Sequence, residues 1–272
     1  MSTGAVLWPQ RSIERALAAV LPGFSVEVLP EIDSTNTELM RRARDGHMAP
    51  VLLVAEQQTA GRGRLGRPWR SAPGASLTFS LGLPLAPPDW SGLSLAVGIS
   101  VAESLHPDVR LKWPNDLWLG DARGERKLGG ILIETASIGA LRYAVIGVGL
   151  NITAPHAVGL AVPAGGLQEL LPGVDAAQVL ERLAAPLVQA VQAFEALGFA
   201  PFQARFNARD VLREREVKVA DAQGGIITGS AHGVTETGAL LVHTQAGMQQ
   251  ITSSEVSVRP LHARPGPAAG RP

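Results

Sequence analysis

The stretch Gly61-Arg62-Gly63-Arg64-Leu65-Gly66-Arg67-Pro68-Trp69-Arg70 packs three glycines, four arginines and an indole into ten residues. It lies between two apolar runs of strand length, Val51 to Ala55 and Ala75 to Leu83, so it reads as a loop joining strands. Glycine lets a backbone approach a ligand closely, and arginine offers a planar fork that matches phosphate and carboxylate oxygens. Such a loop binds an anion, and Trp69 adds a flat apolar face on which a purine can stack. A solvated basic turn or an RNA-binding patch fits the same residues. The spacing matches neither a P-loop nor a dinucleotide fingerprint.

Working outward, Ser12 to Val20 has the apolar spacing of a short helix with Ser12 as N-cap, and Asn36 to Arg44 reads as a second helix capped by Asp33 or Ser34. Beyond the loop, Gly92 to Leu105 reads as an apolar helix. Val109 to Trp113, Gly130 to Thr135 and Tyr143 to Asn151 read as strands, the last two joined across Ala136 to Leu141. Residues 157 to 175 read as loop with at most a short helix, Ala176 to Leu197 as a long helix containing Pro186, and Phe199 to Arg209 as a last helical turn. From about Val211 the pattern changes to short strands: Glu216 to Ala220, Gly225 to His232, Ala239 to His243, Met248 to Thr252 and Val256 to Val258. The expected organisation is therefore a mixed α/β domain over residues 1–210, a small antiparallel β-barrel over 211–262 and a disordered tail over 263–272.

The 272 residues carry 46% apolar side chains, enough for cores in a large and a small domain. Lys+Arg and Asp+Glu are 24 each, so no overall field attracts nucleic acid or an anionic membrane, and any basic site is local. The absence of cysteine removes disulfides, thiolate metal sites and cysteine nucleophiles, and fits a cytoplasmic protein. No targeting or membrane-spanning segment is visible.

Four further segments carry candidate chemistry. In Lys112-Trp113-Pro114-Asn115-Asp116, proline fixes the backbone and Trp113 anchors a turn, so Lys112, Asn115 and Asp116 project from a rigid base. The lysine suits phosphate, and an aspartate near phosphates commonly holds Mg²⁺. An ordinary strand-to-turn segment reads the same way. Lys127-Leu128-Gly129-Gly130-Ile131-Leu132-Ile133-Glu134 sets Lys127 before a buried strand, where it can meet a carboxylate or phosphate. Gly147-Val148-Gly149-Leu150-Asn151 is consistent with a tight apolar slot beside a polar end, or with simple core packing. Ser34-Thr35-Asn36 offers hydroxyl and amide partners for a urea or amide, with Ser34 as a plain helix cap the competing reading.

In order and spacing these segments resemble the biotin protein ligase family. The likeness rests on Asp33 to Asn36, on Glu56-Gln57-Gln58-Thr59-Ala60 running into Gly61 to Arg64, and on Lys112 to Asp116, Lys127 to Glu134 and Gly147 to Asn151. It extends from about residue 28 to residue 260, because Gly233 to Leu241 resembles that family's C-terminal SH3-like barrel. The resemblance implies an α+β fold: a mixed-sheet catalytic domain related to class II aminoacyl-tRNA synthetases, plus the SH3-like barrel. It implies activation of biotin by ATP as biotinyl-5'-AMP, then transfer to a lysine of the biotin carboxyl carrier protein of a carboxylase. Ser34, Thr35, Asn36, Gln58, Arg62, Gly63, Arg64 and Lys127 would line the biotin site. Arg64, Arg67, Trp69, Lys112, Asn115 and Asn151 would serve ATP and the adenylate, with Arg64, Lys112, Asp116 and Lys127 catalytic and Asp116 supporting Mg²⁺.

Two departures from the family pattern stand out. The chain reaches its first motif in about thirty residues, too few for the N-terminal DNA-binding domain of some relatives, so no nucleic-acid partner is expected. Leu117 to Arg126 is lengthened and reads as a surface hairpin tip. Monomer and homodimer both occur in the family. The competing functions are an adenylate-forming lipoate ligase and a nucleic-acid-binding module that uses the arginine loop and the barrel as a basic surface.

Overall fold

The computed structural model describes residues 6–121, 124–155, 162–221, 224–252 and 256–261. In chain order the elements are α1 (Gln10–Leu17), β1 (Ser25–Ile32), α2 (Thr35–Arg44), β2 (Val51–Gln58), β3 (Ser76–Pro84), α3 (Leu93–Leu105), β4 (Arg110–Lys112), β5 (Asp116–Asp121), β6 (Gly124–Ile138) and β7 (Leu141–Asn151). They continue with α4 (Ala176–Leu197), α5 (Gln203–Arg209), β8 (Glu216–Asp221), β9 (Ile226–Val234), β10 (Leu240–Thr244), β11 (Gly247–Ile251) and β12 (Val256–Pro260). The expectation of a disordered tail over 263–272 falls outside the described residues, as does part of the loop read over 157–175. Among the described residues no helix is long and apolar enough to cross a membrane.

The described residues form two compact units. The first takes its residues from Met1–Ala86, Gly129–His156 and Gly166–Gln189. Its sheet runs β1-β2-β3-β7-β6 and is mixed: β1 and β2 are parallel, and every later neighbour is antiparallel. The pleat sorts the side chains by face. Leu77, Phe79 and Leu81 of β3 point one way with Ile146, Val148 and Leu150 of β7, and all six are buried. The other face carries small and polar residues, Ser76, Thr78 and Ser80, in register with Asn151, Gly149 and Gly147. Farther along, this second face becomes apolar again and buries Leu39 and Ala43 of α2 against Val51, Leu53, Tyr143 and Val145. Packing α2 by that stripe fixes where its N-terminal turn lies.

The second unit draws on Pro87–Leu128, Ala157–Gly165 and Ala190–Pro272. Here β4 and β5 pair antiparallel, Arg110 with Trp118 and Lys112 with Asp116, across a turn holding the cis peptide Trp113-Pro114. Trp113 is fully buried and donates its indole N–H to Gly238 O at 3.0 Å, which satisfies the one polar atom of an otherwise apolar anchor. The C-terminal strands form an antiparallel sheet ordered β11-β10-β9-β8-β12. Its small core is built from Val217, Val219, Ala231, Val234, Leu240, Val242, Ile251 and Val258, as expected of an SH3-like module.

Three local expectations are corrected. The first helix begins at Gln10, with Pro9 at the cap position, and Ser12 lies inside it donating its hydroxyl to Glu181 Oε1 at 2.7 Å. Leu117 to Arg126 is only in part a surface tip: Leu117, Trp118 and Leu119 are a buried strand whose apolarity outweighs the turn propensity of Asn115-Asp116, while Gly120, Asp121 and Gly124, at the adjoining ends of β5 and β6, are exposed as expected. The β6–β7 connection is tighter than Ala136 to Leu141, because pairing continues to Ile138 and Leu141 around Gly139, at φ +60.

Candidate functional site

Two clusters hold the residues singled out in the sequence, one in each unit. In the first, Ser34 is extended and caps α2, accepting from Thr37 N at 3.4 Å. Partial burial opposes ionisation of the preceding Asp33, but the Ser34 N–H and the Arg41 guanidinium outweigh it and hold the carboxyl below its ordinary value. Behind the cap, Thr35 donates to Gln58 Oε1 from its N–H at 2.8 Å and from its hydroxyl at 3.1 Å. Ser80 Oγ stands 2.7 Å from Thr35 Oγ1 and 2.6 Å from Asn36 Oδ1. Asn36 Nδ2 donates to Leu132 O at 3.1 Å and to Glu134 Oε2 at 2.9 Å. Ser34, Thr35, Asn36 and Ser80 are all buried, and buried polar groups of this density persist only when they satisfy one another or a ligand.

The Gly-Arg loop is a closed hairpin. Gly63 N donates to Arg67 O at 2.7 Å and Trp69 N to Gly61 O at 2.8 Å, around Leu65 and Gly66 in left-handed conformation at φ 56 and 69. Arg62 Nη2 reaches both oxygens of Glu134 at 3.1 Å, Arg64 is half-buried and Arg67 is exposed. Trp69 folds onto β7, where a Cβ on Gly149 would stand 2.5 Å from its Cε2, and its buried Nε1 finds no hydrogen-bond partner among the described residues. A Cβ on Gly147 would collide with Asn36 Oδ1. The glycines of Gly147 to Asn151 therefore make room for two of the protein's own side chains, Asn36 and Trp69, where the sequence suggested a slot. Asn151 is buried at the end of β7, in register with Ser76.

In the second unit the Lys-Trp-Pro-Asn-Asp motif and Lys127 converge on one carboxylate. Lys127 Nζ lies 2.6 Å from Asp116 Oδ1, and Lys112 Nζ lies 3.9 Å from Asp116 Oδ2. Lys112 is buried, with its ammonium 5.5 Å from the centre of the Trp118 ring. Asn115 is half-buried in the turn between them. Lys127 is braced from the backbone as well, its N–H donating to Pro163 O at 2.8 Å and its carbonyl accepting from Gly165 N at 2.9 Å. Two ammonium groups are held beside one carboxylate, and cations fixed in this way suit phosphate.

Sequence reasoning did not assign Ser80 or Glu134. Ser80 is one small residue in an apolar strand, and Glu134 is the polar end of another; only the register of β3, β7 and β6 shows that both reach Asn36.

Known proteins resemble this chain over most of its length. The model of the Biotin/lipoate A/B protein ligase family matches residues 28–151, and that of the Biotin protein ligase C terminal domain matches residues 214–259. The chain is 38% identical over 248 residues to the bifunctional ligase/repressor BirA of Escherichia coli, covering 88% of this chain and 75% of that protein. It is 32% identical over 268 residues to the biotin--[acetyl-CoA-carboxylase] ligase of Mycobacterium tuberculosis, covering 91% and 94%. Among solved structures, the biotin protein ligase from Aquifex aeolicus in complex with biotin and ATP aligns with a TM-score of 0.73 at 31% identity, over 86% of this chain and 98% of that one. The chain belongs to the biotin protein ligase family.

Proposed function

We propose that this chain is an ATP-dependent biotin protein ligase that forms biotinyl-5'-AMP and transfers biotin to a lysine of a carboxylase's biotin carboxyl carrier protein. The observation that carries the reading is the convergence of Lys112 and Lys127 on Asp116, in a chain that belongs to the biotin protein ligase family. Joining biotin to ATP brings a carboxylate up to the α-phosphorus, and the two anions repel. Fixed cations lower that repulsion as the carboxylate oxygen bonds to phosphorus and pyrophosphate departs. Lys112, Lys127 and Arg64 take this part. No covalent protein nucleophile is needed. In the second step the free amine of the acceptor lysine attacks the acyl carbon and AMP leaves.

Ser34, Thr35, Asn36, Gln58, Arg62 and Gly63 form the biotin side. There Gln58 accepts from Thr35 through Oε1, leaving its amide N–H groups as donors for a ureido carbonyl. Arg67, Trp69, Asn115 and Asn151 serve the nucleotide, with the Trp69 indole as the adenine platform. Asp116 would support Mg²⁺ only as an ion that arrives with its phosphate ligands and shares the carboxylate with Lys127 and Lys112, which stand at its two oxygens. Bound there, the ion would supply further neutralisation of phosphate charge. Residues 1–210 would form the catalytic domain and 211–262 the C-terminal module.

The match of residues 214–259 to the biotin ligase C-terminal domain favours biotin over lipoate. The ion pair between Arg62 and Glu134 argues against a nucleic-acid patch, since it neutralises one of the loop's arginines. The test is exchange of labelled pyrophosphate into ATP, with biotin, lipoate and octanoate in parallel. Exchange that depends on biotin alone is expected. Exchange with lipoate in its place would make the chain a lipoate ligase, and none with any acid would contradict ligase chemistry.

A further inference from the structure

Glu134 has no role in the chemistry above, yet it joins the two halves of the first cluster. It stands on β6 in register with Val145 of β7, with its side chain 26% exposed. One carboxylate oxygen accepts from Asn36 Nδ2 at 2.9 Å, and both lie 3.1 Å from Arg62 Nη2. Arg62 Nη2 also donates to Thr37 Oγ1 at 3.1 Å, in the first turn of α2. A bare carboxylate beside a site for an acid would repel that acid, and a guanidinium held on it removes the repulsion. The same ion pair ties the Gly61–Arg70 loop to the cap of α2.

We infer that Glu134 is a positioning residue: through Arg62 it fastens the Gly-Arg loop to the N-terminal turn of α2, and through Nδ2 it sets the orientation of the Asn36 amide. Loop and helix cap thus meet the ligand as one preorganised wall, with less ordering left to be done on binding. Arg62, on the biotin side of the site, thus also acts on the protein itself. Only the identity of the ligand rests on the ligase reading.

Three variants test this: Glu134→Gln, which keeps an acceptor for Asn36 but removes the charge, Arg62→Gln, and the double variant. The first readout uses no ligand. Tryptic cleavage after Arg64, followed by mass spectrometry, is expected to accelerate about fivefold in each single variant, the scale of a partly exposed ion pair, and no further in the double variant. The second readout is initial-rate kinetics of adenylate formation. Glu134→Gln is expected to raise the KM for biotin about fivefold while kcat and the KM for ATP stay within about twofold. Unchanged cleavage, additive single effects or an unchanged biotin KM would overturn the inference. Should Glu134→Gln fail to fold by thermal melting, Arg62→Gln decides the matter from the exposed loop. If the unmodified protein forms no adenylate, the ligase reading fails while the cleavage result still judges the tether.

Discussion

Lys127 and Asp116 are eleven residues apart in the chain and 2.6 Å apart in the structure, with Lys112 standing 3.9 Å from the other carboxylate oxygen. Because Lys112 remains beside Asp116, removing Lys127 does not leave a lone buried anion. Lys127→Ala is therefore expected to cost less than about 1 kcal/mol of stability, as for a partly exposed ion pair. Adenylate formation should nevertheless fall by roughly a hundredfold, the usual loss of a fixed charge at a developing anion. Thermal melting and initial rates on the same preparation check both halves; retained activity, or loss of folding in place of activity, would count against the assignment.

Gly147 and Gly149 lie on the same face of β7, one under Asn36 and the other under Trp69. A methyl group at either position displaces a different side chain. Gly147→Ala is expected to raise the KM for biotin and Gly149→Ala the KM for ATP, each at a stability cost of about 1–3 kcal/mol for overpacking. Equal effects of both substitutions on both substrates would show that Asn36 and Trp69 do not serve separate parts of the ligand.

Tyr143 is the single tyrosine of the chain, buried at 1% exposure in the apolar cluster with Leu39 and Leu53. Burial pushes its phenol from 10.0 up to about 12, against a smaller opposing effect of Arg42. The folded protein therefore favours the protonated phenol. Its stabilising contribution, about 3 kcal/mol, is complete below pH 10 and is lost as pH rises through about 12. Tyrosinate absorbance should accordingly appear near pH 12 or together with alkaline unfolding, and Tyr143→Phe should flatten that alkaline decline. A midpoint near 10 in folded protein would contradict the packing.

Ser34 serves as the cap of α2 through a long hydrogen bond of 3.4 Å to Thr37 N. Ser34→Ala is expected to destabilise the protein by about 0.5–1 kcal/mol, at the weak end for a lost N-cap, read from denaturant midpoints. A cost of several kcal/mol would mean that the hydroxyl supports more than the helix.

The motifs that lie within one short segment were legible from the residues alone. Ser34 to Asn36 carried the signature of a helix cap, and Lys112 to Asp116 that of a rigid turn, because both depend on local backbone preferences. Strand β5 was hidden for the same reason: Asn115-Asp116 favours a turn so strongly that the buried Leu117 to Leu119 beyond it read as surface. Ser80 and Glu134 reach Asn36 only through the pairing of β3, β7 and β6, and register is set by the whole sheet rather than by any one strand. The glycines of β7 were recognised as a close approach, but what approaches them is also decided by that register.

Biotin activation by the chain itself is what the fold and the site together require. The most direct measurement is mass spectrometry of the purified protein incubated with biotin and Mg·ATP in the absence of any acceptor. Biotinyl-5'-AMP and pyrophosphate are the predicted products, with neither formed by a Lys112→Ala variant that keeps its fold. Absence of both products from the unmodified protein, together with retention of nucleic acid at physiological salt, would contradict the account and return the arginine loop to a binding surface.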